Sequence, residues 1–196
     1  MQPLLKLSGG IDWLNEKCGR LFMLLVLAAV LISAGNAVVR KLFHTSSNAF
    51  LEIQWYLFGA IFLLCAGYTL RKNEHVRIDV IIGKLSQRAH AWIDIGGGAL
   101  FLLPFCLLIV YHSWPQFMKA WIIHEMSSDA GGLIRWPVLL LIPVGFTLLG
   151  LQGVSEIIKN IAFLRGLIPF PYEKKDHPHE ETLLLDDTKT GREETR

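Results

Sequence analysis

The sequence predicts an all-α membrane protein: four transmembrane helices with interfacial amphipathic helices beside them, and both termini cytoplasmic. Three observations carry that expectation. The mean hydropathy of +0.40 exceeds what a water-soluble domain usually shows. Four apolar runs, at residues 21–39, 49–70, 93–111 and 136–158, are each long enough to cross a hydrocarbon core of about 30 Å at 1.5 Å per residue. The lysines and arginines fall unevenly between the two sets of connections that these runs create.

The first run, Leu21 to Val39, is uncharged and bracketed by Arg20 and Arg40. It is too long for a signal-peptide core and has only a poor cleavage site, so it reads as an uncleaved helix after a cytoplasmic N-terminal segment, residues 1–20. The second, Ala49 to Leu70, has Glu52 near its start and Arg71-Lys72 at its end. About 27 Å of helix separates Glu52 from Leu70, so the carboxylate sits at the opposite face and stays wet or pairs with Arg40, Lys41 or a partner. The third, Ile93 to Tyr111, carries Gly96-Gly97-Gly98 near one end and Pro104 in the middle, which predicts close helix contact and a kink. The fourth, Trp136 to about Ile158, has Pro137 in its first turn, Pro143 inside it, and a small-residue surface of Gly145, Gly150 and Gly153.

Two longer connections have helical spacing without the length to span. Residues 73–88 place Val76, Val80, Ile81 and Leu85 apart from Arg77, Lys84 and Arg88, as in a helix lying among inner headgroups, with Lys84 and Arg88 as candidate headgroup contacts. Residues 114–123 read the same way on the outer side. One side collects Lys6, Lys17, Arg20, Arg71, Lys72, Arg77, Lys84, Arg88, Lys159, Arg165, Lys174 and Lys175, and the other Arg40, Lys41, Lys119 and Arg135. Twelve against four puts both termini in the cytoplasm. Residues 171–196 turn to Pro, His, Glu, Asp, Lys and Thr, which predicts a flexible cytoplasmic tail.

The residue pattern excludes several chemistries. A net charge of +2 gives no electrostatic basis for binding nucleic acid. The histidines lie outside the four runs or beyond their ends, which argues against a haem-bearing anchor. Glu52, Asp94 and Glu156 stand near helix ends, where a self-sufficient exporter would keep an acid at mid-membrane. Cys18, Cys65 and Cys106 are widely separated and read as packing residues. Glu74, His75 and Asp79 could be drawn as metal ligands, but an exposed charged stretch at headgroup level is the simpler reading. No catalytic centre, metal site or cofactor is expected in this chain.

Glu52-Ile53-Gln54-Trp55-Tyr56-Leu57-Phe58, followed by Arg71-Lys72-Asn73-Glu74-His75-Val76-Arg77-Ile78-Asp79, resembles the small membrane subunit (DctQ-like) of the tripartite ATP-independent periplasmic, or TRAP, transporters. Gly131-Gly132-Leu133-Ile134-Arg135-Trp136-Pro137 is similar to that family's lead-in to its last helix. The resemblance covers about residues 21–161. It implies a multi-pass protein of the bacterial inner membrane that braces a large TRAP membrane subunit during sodium-driven uptake of organic anions such as carboxylates, keto acids or sugar acids. A periplasmic substrate-binding protein delivers the solute, and sodium and substrate sit on the large subunit.

On that footing the candidate structural or partner-subunit contacts are Glu52, Trp55, Tyr56, Arg71, Glu74, His75, Arg77, Asp79, Gly97 and Gly150. Lys119, His124, Glu125 and Asp129, on the outer side, are candidate contacts for the binding protein. The competing expectation is a non-transport anchor or assembly subunit of another inner-membrane complex.

Overall fold

The computed structural model describes residues 1–43, 48–72 and 86–171, and the described chain folds into helices. They are α1 (Gln2–Phe43), α2 (Asn48–Lys72), α3 (Gln87–Gly97), a π-helical turn (Gly98–Leu102), α4 (Leu103–Ile122) and α5 (Trp136–Leu164). Four helical stretches are long and apolar enough to cross a membrane, with α3, the π turn and α4 forming one of them, Gln87–Ile122. The sequence expected this number of spans. The helices overrun the apolar runs because hydropathy marks where hydrocarbon begins, whereas backbone hydrogen bonding continues into the headgroup region and beyond.

Each overrun has a local cause. α1 is helical from Gln2, so the polar segment before Leu21 continues the span as one 42-residue helix. Residues 114–122 likewise continue α4 through Pro115, in place of the separate interfacial helix that amphipathic spacing suggested. α3 starts at Ser86, whose hydroxyl accepts the Ala89 N–H at 3.3 Å and satisfies an orphan donor. Proline at position 104 cannot donate to the carbonyl four residues back. The helix accommodates it with the π turn just before it, where Leu103 N–H reaches Gly98 C=O.

α4 and α5 end in the same way. Glu125 N–H bonds Ala120 C=O at 3.0 Å and His124 N–H bonds Trp121 C=O at 3.4 Å, while Leu167 N–H bonds Ala162 C=O at 3.0 Å and Gly166 N–H bonds Phe163 C=O at 2.8 Å. Both are Schellman caps, with His124 (φ 48°) and Gly166 (φ 70°) in the left-handed position.

α5 is the hub and packs on every other described helix. It does so with small residues: Pro143, Gly145, Gly153, Ser155 and Ala162 are buried. A side-chain carbon at Gly145 would stand 2.7 Å from the Leu63 carbonyl oxygen, so only glycine lets α2 and α5 cross this closely. In lipid such close backbone contact, more than apolar expulsion, holds helices together. Of the two glycines singled out in sequence, Gly150 packs inward on Cys106, whereas Gly97 is exposed with nothing within 4 Å of a built side-chain carbon. The three cysteines are free thiols.

The N-terminal half of α1 lies against the C-terminal half of α5, so the start of the chain and the end of α5 share one end of the bundle. Beyond Gly19, α1 has no buried residue, and its Leu21, Leu24, Leu27, Leu31 and Val38 are exposed. Between the charged ends, residues 21–39, 53–70, 95–118 and 136–155 contain no Asp, Glu, Lys or Arg.

Candidate functional site

Among the described residues, polar side chains remote in sequence meet in two clasps, one at each end of the bundle. The first centres on Glu52, in the opening turns of α2. Its side chain is covered, with the residue 6% exposed, by the loop between α4 and α5. The carboxylate accepts the Ser127 hydroxyl on one oxygen and the Leu133 N–H at 2.6 Å on the other. It also packs on Gly132, where a side-chain carbon would fall 2.7 Å from Oε1.

The loop is itself a small antiparallel hairpin. Ser127 N–H bonds Leu133 C=O and Arg135 N–H bonds Glu125 C=O, both at 2.9 Å, with Met126 opposite Ile134. Asp129 N–H reaches Ser127 Oγ at 3.3 Å, and Asn48 at the start of α2 donates to Ala130 C=O at 3.1 Å. Arg135 and Glu125 pair at 2.5 Å, and Trp121 meets Trp136 edge to face at 4.5 Å beneath them. A carboxylate that takes neutral donors from a remote loop fixes that loop's position relative to α2.

The second clasp joins α1 to α5. Ser8, Asp12, Asn15 and Gly19 follow one another at helical spacing along a single face of α1. Asp12 Oδ1 accepts from Ser155 Oγ at 2.7 Å and Gln152 Nε2 at 2.8 Å, and its Oδ2 pairs with Lys159 Nζ at 3.0 Å. Lys159 also reaches Glu156 Oε1 at 2.7 Å, which accepts from Gln152 at 2.9 Å. Ser8 and Ser155 hydroxyls lie 2.7 Å apart. Because Ser155 gives its one proton to Asp12, Ser8 is the donor in that pair, and the hydroxyls point in series toward the carboxylate.

One ammonium thus stands between two carboxylates in a mostly buried seam. On the α2 side, Glu16 pairs with both Arg71 and Arg20. Deeper in, Asn15 is 1% exposed and lies against Gly67, where α1, α2 and α5 meet.

Of the candidates from sequence, Glu52, Glu125 and Asp129 therefore meet in or beside the first clasp, and Arg71 joins the second through Glu16. Trp55 is 75% exposed and Tyr56 half-buried, and Trp55, Phe58 and Phe62 make an exposed aromatic ridge on α2. Lys119, His124 and Arg88 are exposed. Glu74, His75, Arg77, Asp79 and Lys84 lie outside the described residues, as do residues 73–85 of the inner connection and the tail beyond residue 171. Sequence reading passed over Ser8, Asp12, Asn15, Gln152, Ser155 and Ser127. For the second clasp a signal was present in the matching helical spacing of polar residues at 8, 12, 15 and at 152, 155, 156, 159.

Four helices long and apolar enough to cross a membrane, joined by polar clasps near their ends, define a multi-pass membrane protein. Residues 29–163 match the family described as tripartite ATP-independent periplasmic transporters, DctQ component. The chain belongs to that family, and is thus a small-subunit component of a TRAP transporter. No curated protein matches it in sequence.

Proposed function

We propose that this chain braces the large membrane subunit of a TRAP transporter during sodium-driven, binding-protein-dependent uptake of organic anions across the bacterial inner membrane. Membership of the family supplies the tripartite context. The observation that carries the division of labour is the uncharged middle of the bundle: from residues 53 to 70 on α2 and 136 to 155 on α5 no ionisable Asp, Glu, Lys or Arg lines a route. An ion-coupled solute path needs such groups or an open polar cavity at mid-depth. Sodium and substrate accordingly bind on the partner.

In this reading the twelve-to-four excess of lysine and arginine sets both termini in the cytoplasm, so the Glu52 clasp faces the periplasm and the Asp12 clasp the cytoplasm. The Glu52-anchored hairpin then presents Lys119, His124 and Asp129 toward the binding protein from a fixed position. The exposed ridge of Trp55, Phe58 and Phe62 offers a rigid aromatic face to the large subunit.

Purification in mild detergent from membranes that express the whole operon tests the assembly. The expected result is a stable complex with a membrane protein of far greater size and many more helices. Recovery of this chain alone, or with a respiratory or signalling complex, would support the anchoring alternative instead.

A further inference from the structure

We propose that the groove between the end of α1 and the start of α2 binds one anionic phospholipid, its phosphate held by Arg40 and Lys41. The groove encloses about 550 Å³ and is lined by Ser33, Asn36, Arg40 and Lys41 from α1, facing Leu51 and Gln54 from α2. Residues 33, 36, 37, 40 and 41 fall on one face of α1.

The acid that sequence proximity offers to the two cations is Glu52. Its oxygens are already committed to Ser127 and Leu133, and among the described residues neither Arg40 nor Lys41 has an ion-pair partner. Two cations at the end of a helix complement its dipole, which accounts for their presence but not for the floor beneath them. Ser33, Asn36 and Gln54 make no side-chain hydrogen bond among the described residues, although the first two stand within the apolar run of α1. Unpartnered polar groups facing hydrocarbon are costly, so a molecule with its own donors and acceptors is needed to cover them.

The depth selects the ligand. From Arg40 down to Ser33 is about 10 Å of helix, the distance from a phosphate past the glycerol to the first methylenes. Below that level α1 is apolar and exposed at Val30 and Leu31, a surface suited to acyl chains. Free phosphate would satisfy only the rim, and an acidic peptide would have to enter the hydrocarbon region. The chemistry fits a phospholipid with net negative charge, its phosphate at the two cations and its glycerol at Ser33 and Asn36, as in phosphatidylglycerol.

The test is native mass spectrometry of the chain in its purified complex, delipidated and then offered phosphatidylglycerol and phosphatidylcholine in equal amounts. Wild type is expected to retain phosphatidylglycerol preferentially. The double substitution Arg40→Gln, Lys41→Gln should weaken that retention on the order of tenfold, while Arg40→Lys, Lys41→Arg keeps it. Equal retention of the two lipids, unchanged retention after neutralisation, or equal loss in the charge-keeping variant would each overturn the proposal. So would displacement of the lipid by millimolar inorganic phosphate, which would assign the groove to the free ion.

Discussion

Replacing Glu52 with leucine should free the hairpin between α4 and α5 while leaving the four helices in place. The carboxylate is the only group seen to take both the Ser127 hydroxyl and the Leu133 N–H among the described residues, and leucine offers no acceptor to either. Ser127 and Leu133 are joined directly across the hairpin, so both rungs loosen together. Hydrogen exchange at the amides of residues 126–135 should accelerate by about tenfold or more, with exchange in the middle of α2 and α5 unchanged.

Uptake should fall most steeply when binding protein is scarce, because a wandering platform lowers the rate of productive docking while leaving the partner's transport cycle intact. Glu52→Gln should be milder, since its amide oxygen can still accept from Leu133. Unaltered loop exchange in Glu52→Leu would show that the hairpin is held without the carboxylate, by its own ladder, the Asn48 and Arg135–Glu125 contacts and the Trp121–Trp136 pair.

The second large effect is at Lys159. Its ammonium lies between Asp12 and Glu156, and Lys159→Met leaves two carboxylates facing each other in a mostly buried seam. Removing one partner of a buried pair costs about 3–5 kcal/mol when the remaining charge is fully desolvated. Lys159 and Asp12 keep 19% and 20% of their side-chain surface exposed, so the expected loss is nearer the lower end of that range. Thermal unfolding in detergent should therefore shift down by several degrees.

The double substitution Asp12→Asn, Lys159→Met removes one carboxylate with the ammonium and should recover a large part of the loss. Such recovery identifies charge, not packing, as the cause. If Lys159→Met and wild type unfold at the same temperature, the clasp does not hold α1 to α5.

These two clasps differ in how far they could be read in advance. The spans were legible because a bilayer imposes one crude requirement, a run of about 20 apolar residues, and residues 21–39, 49–70, 93–111 and 136–158 meet it without ambiguity. Helix ends were not, because Gln2–Arg20 and Trp114–Ile122 are helical through hydrogen bonding and tertiary contact that hydropathy does not record. Glu52 stood out as a lone acid at the head of an apolar run. Its partners lie 75 and 81 residues away, and no local pattern links an acid on α2 to the backbone of Leu133.

Asp12 is a different case. Its spacing with Ser8 and Asn15 gives α1 a polar face that a solvated segment would not need, and Gln152, Ser155 and Lys159 mirror it on α5. What hid the pairing was the 143-residue separation of Asp12 and Ser155, together with the reading of the first 20 residues as a cytoplasmic segment ahead of the first span.

Solute uptake into proteoliposomes under a sodium gradient measures the division of labour most directly, with this chain alone, the large subunit alone, or both, each supplied with loaded binding protein. The account predicts no uptake by this chain alone, weak uptake by the large subunit alone, and full uptake by the pair. Gradient-driven uptake by this chain alone, or an undiminished rate from the large subunit without it, would contradict the account.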